Sequence, residues 1–128
     1  MATVRRIFDL AAAIVFEQYG GDTDFDKYSP LLLEQMMMEA LPYENMIRLQ
    51  KGLPLIEHVP ELTAIDETVI DWDDRITRIA LPSGLASRLM ADSPDKKAEM
   101  VIEYNKFVAA LDDAAPAIPE VGEDAETN

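Results

Sequence analysis

Ser29-Pro30-Leu31-Leu32-Leu33-Glu34-Gln35-Met36-Met37-Met38-Glu39-Ala40 is the stretch on which the fold turns. Ser caps a helix well, and proline is tolerated in the first helical turn, where its missing N–H is not needed. The predicted helix therefore starts at Ser29-Pro30. Beyond them the residues are apolar almost all round, so this helix lies either in the middle of a core or in a subunit contact. The run Met36-Met37-Met38 has the same two readings. Methionine fills irregular core gaps, and it also makes an adaptable surface against a neighbouring subunit.

Working outward, Pro42 is expected to break or kink this helix, and Tyr43 to Lys51 resumes helical spacing until Gly52 closes it. Upstream, Thr3 is a candidate N-cap for a helix whose apolar stripe is Val4, Ile7, Phe8, Ala11, Ile14, Val15 and Tyr19, ended by Gly20-Gly21. Downstream, Pro54 and Pro60 exclude a long helix. Residues 53–70 read as extended chain with one or two short strands, strongest at Thr68-Val69-Ile70. Asp71 is the expected cap of the next helix, with Asp73 and Asp74 in its first turn. Its stripe runs through Ile76, Ile79, Ala80, Leu85, Ala86, Leu89 and Met90, bent at Pro82 and Gly84. Asp92-Ser93-Pro94 opens a last helix expected to bury Ala98, Val101, Ile102, Val108 and Leu111.

The fold class that follows is mainly α: a small bundle of four to five helices with a proline-interrupted, extended middle segment. Residues 1–111 form the helical domain, and 112–128 form an acidic, extended C-terminal arm. The arm holds six carboxylates and no Lys or Arg. It is either a solubilising appendage or a docking arm, and Pro116, Ile118, Pro119 and Val121 favour docking, because a purely solubilising tail has little use for Ile and Val.

Eleven basic residues against twenty-five acidic give a formal charge of −14, of which −8 belongs to residues 1–111. Such a surface repels phosphate and argues against nucleic-acid binding through a basic patch. No run approaches the ~20 apolar residues of a membrane span, and the N-terminal stretch, interrupted by Asp9 and Glu17, makes a poor signal peptide. With no cysteine, there is no disulfide framework and no thiolate metal site.

Catalytic and metal motifs are equally scarce. Asp22, Asp24 and Asp26 imitate the start of a calcium loop, but the sixth and twelfth positions hold Lys27 and Leu33 instead of Gly and Glu. His58 is the sole imidazole and has no second His or Cys to join in a metal site or nucleophilic pair. Asp71, Asp73 and Asp74 around Trp72 are explained by a helix start, and no phosphate-cradling glycine loop is present. We expect no enzymatic activity, no catalytic, metal or cofactor-binding residues, and no cofactor.

Asp71-Trp72-Asp73-Asp74-Arg75 leads into Ile79-Ala80-Leu81-Pro82-Ser83-Gly84-Leu85-Ala86-Ser87-Arg88-Leu89, then an acidic turn, then a helix carrying Tyr104-Asn105-Lys106-Phe107-Val108-Ala109-Ala110-Leu111. This layout, over about 90 residues, resembles the head–tail connector (adaptor) proteins of tailed bacteriophages. The resemblance implies a structural virion protein at the neck, made in the host cytoplasm. It would form a homo-oligomeric ring, commonly of twelve copies, beneath the portal protein and above a tail or tail-completion protein. DNA would pass through it without specific binding, and there would be no membrane partner. It also implies that Pro116, Ile118, Pro119 and Val121 reach the portal, and the ring gives Met36, Met37 and Met38 a role as subunit contacts. An excess of carboxylates suits the wall of a DNA conduit, although salt screening over ~8–10 Å confines the effect to charges lining the channel. The competing reading is an acidic helical binding module, an inhibitor or DNA mimic, acting on a basic protein. A third is an enzyme using paired carboxylates in a deep pocket.

Overall fold

The computed structural model describes residues 1–19, 24–91 and 93–115, and its architecture is a helical bundle. Strand β1 (Ala2–Thr3) precedes helix α1 (Val4–Tyr19), and α2 spans Asp24–Lys51. Strand β2 (Val69–Ile70) follows a long irregular segment, and a π-helical turn (Arg75–Ala80) runs directly into α3 (Leu81–Leu89). A 3₁₀ turn (Pro94–Lys96) then leads to α4 (Lys97–Ala114).

The N-terminus folds as its sequence predicts and gains support from a distant loop. The Thr3 hydroxyl accepts the Arg6 N–H at 3.0 Å, the expected cap. The two N–H groups before it also lack helical acceptors. Val4 N–H donates to the Thr68 carbonyl at 2.9 Å and Arg5 N–H to the Asp66 carbonyl at 2.8 Å. These bonds continue the antiparallel pairing of Ala2 with Ile70 and Thr3 with Val69. Residues 66–70 thus complete the start of α1, and Thr68-Val69-Ile70 supplies the strand its composition favours.

Helix α2 departs from expectation at both prolines. It begins at Asp24, so Ser29-Pro30 lies inside it, and it continues through Pro42 to Lys51. An interior proline costs a helix about 3 kcal/mol. Here Leu33, Met36, Met37, Ala40 and Ile47 all bury along one stripe, and that burial holds the helix together. Pro42 and Met38, whose carbonyl would have accepted the missing N–H, both lie on the exposed side. Ser29 is buried, and its Oγ has no partner among the described residues, so it does not cap. The end of α2 follows the glycine rule. Gly52 takes φ +72°, Leu53 N–H reaches the Arg48 carbonyl at 2.8 Å and Gly52 N–H the Leu49 carbonyl at 3.3 Å, a Schellman closure.

Residues 53–68 form no regular element, and α2 side chains bond to their backbone at Pro54, Ile56 and Leu62. Asn45 clamps Ile56 from both sides, donating to its carbonyl at 3.0 Å and accepting its N–H at 2.8 Å. Glu34 accepts the N–H of buried Leu62 at 2.6 Å. A helix surface here does the work of a partner strand, which is why strong strand formers yield only β2.

Helix α3 is the central element and packs on α1, α2 and α4. Leu81, Pro82, Gly84, Leu85, Ala86, Ser87 and Leu89 are all buried. Its approach is wider than an α-helix, because Leu81 N–H bonds to the carbonyl of Ile76, five residues back. Pro82 follows immediately and has no N–H to tighten that turn. Gly84 permits a close crossing. A Cβ there would stand 2.7 Å from the Phe107 ring and 2.9 Å from the Met36 sulfur. The expected cap Asp71 is displaced: the first turn hangs from the Asp73 carbonyl, which accepts Ile76 N–H at 2.9 Å and Thr77 N–H at 3.0 Å.

Helix α4 faces inward through Glu103, Phe107, Leu111 and Ala114. The expected inward set is corrected in part, since Ala98 is exposed and Val101 and Ile102 are 51% and 52% exposed. Ile102 and Leu111 are nine residues apart, about two and a half turns, and so occupy opposite faces. Phe107, the largest inward side chain, fixes which face wins. The helix runs to Ala114 and Ala115 is buried, so the expected division between residues 111 and 112 falls within α4.

Candidate functional site

The most connected polar cluster joins the end of α2 to the segment entering α3. Glu44 and Arg48, four apart on α2, pair at 2.8 Å, and Glu44 is only 2% exposed. The second Glu44 oxygen accepts Asp73 N–H at 2.9 Å. Arg48 donates further to the Pro54 carbonyl at 3.1 Å and to the Asp71 carbonyl. One ion pair thereby fixes both ends of the irregular segment, which explains why Asp71 is drawn away from the helix start.

Around this pair lies an open cleft of about 740 Å³, with Met1, Ile47, Lys51, Trp72 and Arg75 among its lining residues. Asp73 accepts Arg75 N–H at 2.8 Å and pairs with the Arg75 side chain at 3.2 Å and with Lys51 at 3.6 Å. Burial pushes the Asp73 carboxyl up. The Arg75 hydrogen bonds, with the Arg75 and Lys51 charges, outweigh it and hold the group below its ordinary value. Asp74 binds the Met1 amine, and Arg78 stands 3.5 Å from the same oxygen. The hydrogen bond from that amine is the largest cause of the lowered Asp74 value. These carboxylates are ionised and committed to cations. They brace the entry to α3.

A second cluster sits on the surface where three helices meet. Glu39 of α2 accepts from Arg88 of α3 at 3.1 Å and from the Tyr104 hydroxyl of α4 at 2.8 Å. The bond to the Glu39 carboxylate, with smaller contributions from burial and the Glu39 charge, raises the Tyr104 phenol above its usual value. The Tyr104 ring also leans on Phe107, with centroids 5.7 Å apart.

The remaining feature is apolar. Leu31, Met38, Pro42 and Leu49 fall on one face of α2, and all are exposed, Met38 by 60% and Leu49 by 64%. Leu53 and Leu55 are exposed beyond the helix end, Leu53 on the rim of the cleft, and Val101 and Ile102 are exposed side by side on α4. Single exposed leucines are ordinary; these four are spread along roughly 27 Å of one helix.

Of the residues singled out in the sequence, Met36 and Met37 are wholly buried in the subunit's own core and have no surface to offer a neighbour. Met38 alone of the three is available, because it points to the other side of α2. Pro116, Ile118, Pro119 and Val121 lie outside the described residues, as does Asp22. Residues 24–33 are helical, so no twelve-residue calcium loop forms there. His58 is exposed on the irregular segment. No three His, Asp or Glu side chains converge as a metal site, and no helix is long and apolar enough to cross a membrane, among the described residues. The Glu44–Arg48 pair does leave a local signal in the sequence, its i, i+4 spacing. The Glu39–Arg88–Tyr104 cluster joins three helices and leaves no local trace. Compared with protein families, curated proteins and solved structures, the chain matches none.

Proposed function

We propose that this protein is a structural component of a phage virion: a head–tail connector whose copies form a ring beneath the portal and join capsid to tail around the DNA channel. The observation that carries the reading is the outer stripe of α2, Leu31, Met38, Pro42 and Leu49, on a helix whose opposite face already fills the core. A ring interface is heterologous, so each subunit needs two different complementary faces. The α2 stripe and the Val101–Ile102 patch on α4 are two such faces. Support also comes from the resemblance of the sequence layout to connector proteins and from the charge of −14, which suits the wall of a DNA conduit. In this reading the subunit contact is made by Met38, with Met36 and Met37 behind it, and the ring has twelve copies. The portal is met by Pro116, Ile118, Pro119 and Val121, and a tail or tail-completion protein binds the other side.

The test is to mix purified protein with portal rings and image the particles. Rings of this protein capping one end of the portal are the expected result. Bare portals at saturating protein would overturn the reading. Salt-sensitive capture of a basic protein, with no effect of substitutions in the α2 stripe, would favour an acidic inhibitor or DNA mimic instead.

A further inference from the structure

The end of α4 leaves the bundle beside a small groove whose lining is apolar with one arginine and one aspartate, the exposed Arg78 lying one helical turn from Arg75. Arg75, Ile79, Ala110, Asp113 and Ala114 enclose about 130 Å³, room for one branched aliphatic side chain. Ile79 is 58% exposed there, although it sits on the turn that enters the most buried helix of the fold. Ala115 is buried in an extended conformation, φ −92° and ψ 110°, and follows directly on Ala114 of the groove wall.

Charge is distributed unevenly around this exit. In a chain of −14, Lys51 and Arg75 share the single carboxylate of Asp73, while Arg78 and the Met1 amine share that of Asp74. Arg75 and Arg78 keep about half of their side-chain surface exposed. Residues 116–128, which begin here, contain Glu120, Glu123, Asp124 and Glu126 and no Lys or Arg. The same segment begins Pro-Ala-Ile-Pro, an apolar, stiff sequence.

We propose that residues 116–121 dock in this groove on the chain that carries them, with Ile118 against Ile79 and Glu120 facing Arg75 and Arg78. Ile118 lies three residues beyond Ala115, a reach of about 10 Å, so the span is short and the effective concentration high. The two prolines reduce the freedom lost on docking. A second copy would have to supply the same residues without that advantage. The docking belongs to the free chain and does not depend on the connector reading. Were that reading correct, the segment would leave the groove on reaching a portal.

The absence of cysteine makes the test clean, because Gly122→Cys in the full chain carries a single spin label. Docking predicts strong broadening of the Arg75, Arg78 and Ile79 amide signals. That broadening is lost in the Gly122→Cys chain that also carries Ile118→Asp, while signals of residues 112–114 stay broadened in both. Equal broadening of Ile79 with and without Ile118→Asp would overturn the proposal. So would broadening that passes from a spin-labelled chain to a separate ¹⁵N-labelled chain in a mixed sample, since the occupant would then be a second copy. An Ile79→Asp chain gives an independent arm: its core amide spectrum remains native, and the Gly122→Cys label no longer reaches Arg78.

Discussion

Met37 and Met38 are adjacent in sequence, yet one is wholly buried and the other is 60% exposed. They mark the inner and outer faces of α2. The inner face holds Leu33, Met36, Met37, Ala40 and Ile47 packed into the core, with Glu44 buried among them. The outer face holds Leu31, Met38, Pro42 and Leu49 with nothing among the described residues to cover them. Both sides carry large apolar residues, interspersed on the outer one with exposed Gln35. What differs is whether a partner lies among the described residues of the same chain, and so what a substitution there can break.

The largest effect is expected at Glu44. Replacing it with alanine leaves the nearly buried Arg48 guanidinium unpaired and the Asp73 N–H without its acceptor. Breaking a buried pair in this way costs about 3–5 kcal/mol, read as a lower urea midpoint. Glu44→Gln keeps an acceptor for Asp73 and should fall between. An effect as small as that of a surface substitution would show that the pair holds nothing together.

Next comes Met37→Ala, which empties part of the core and should cost about 2–5 kcal/mol by urea unfolding. The same change at Met38 is expected to stay within about 0.5 kcal/mol. Comparable losses at both positions would erase the distinction between the faces.

This pair of methionines also shows what a sequence conveys. Thr3, Gly52 and the run Thr68-Val69-Ile70 act locally, through a cap, a positive φ and an extended preference, and all three were legible. Pro30 and Pro42 were misleading, because the burial of residues three and four apart along 28 residues outweighs two local defects. Which face of α4 turns inward depends on Phe107 meeting Gly84, a contact between helices that no window along the chain contains. For the same reason an apolar-all-round helix could be recognised, but not which half of it the subunit uses.

Acid should loosen the bracing around Asp73 at the entry to α3. The Asp73 carboxyl sits below its ordinary value in the folded protein, so the folded state binds its proton less readily than the unfolded chain. The stabilisation is therefore fully present above the ordinary carboxylate range and is lost as pH falls through the depressed folded value. Asp73→Asn should flatten that part of an acid titration of stability. An unchanged slope would assign acid sensitivity to other carboxylates. At the surface cluster the sign reverses. Tyr104 is raised, so its contribution holds below the ordinary phenol value and fades as pH rises through the folded one. Tyr104→Phe should cost only about 0–1 kcal/mol near neutrality, because the bond to Glu39 is solvent-exposed.

The smallest effect on stability carries the sharpest functional meaning. Leu49→Asp places a charge on the outer face, where the side chain is 64% exposed and touches no core. Its urea midpoint should move by no more than about 0.5 kcal/mol. If copies meet through this stripe, the same substitution buries an unpaired carboxylate at every interface of the ring, a penalty repeated once per subunit. Portal decoration should then disappear while the isolated chain remains folded. A variant that decorates portals normally would take the outer face of α2 out of the interface and leave the Val101–Ile102 patch to be tested in its place.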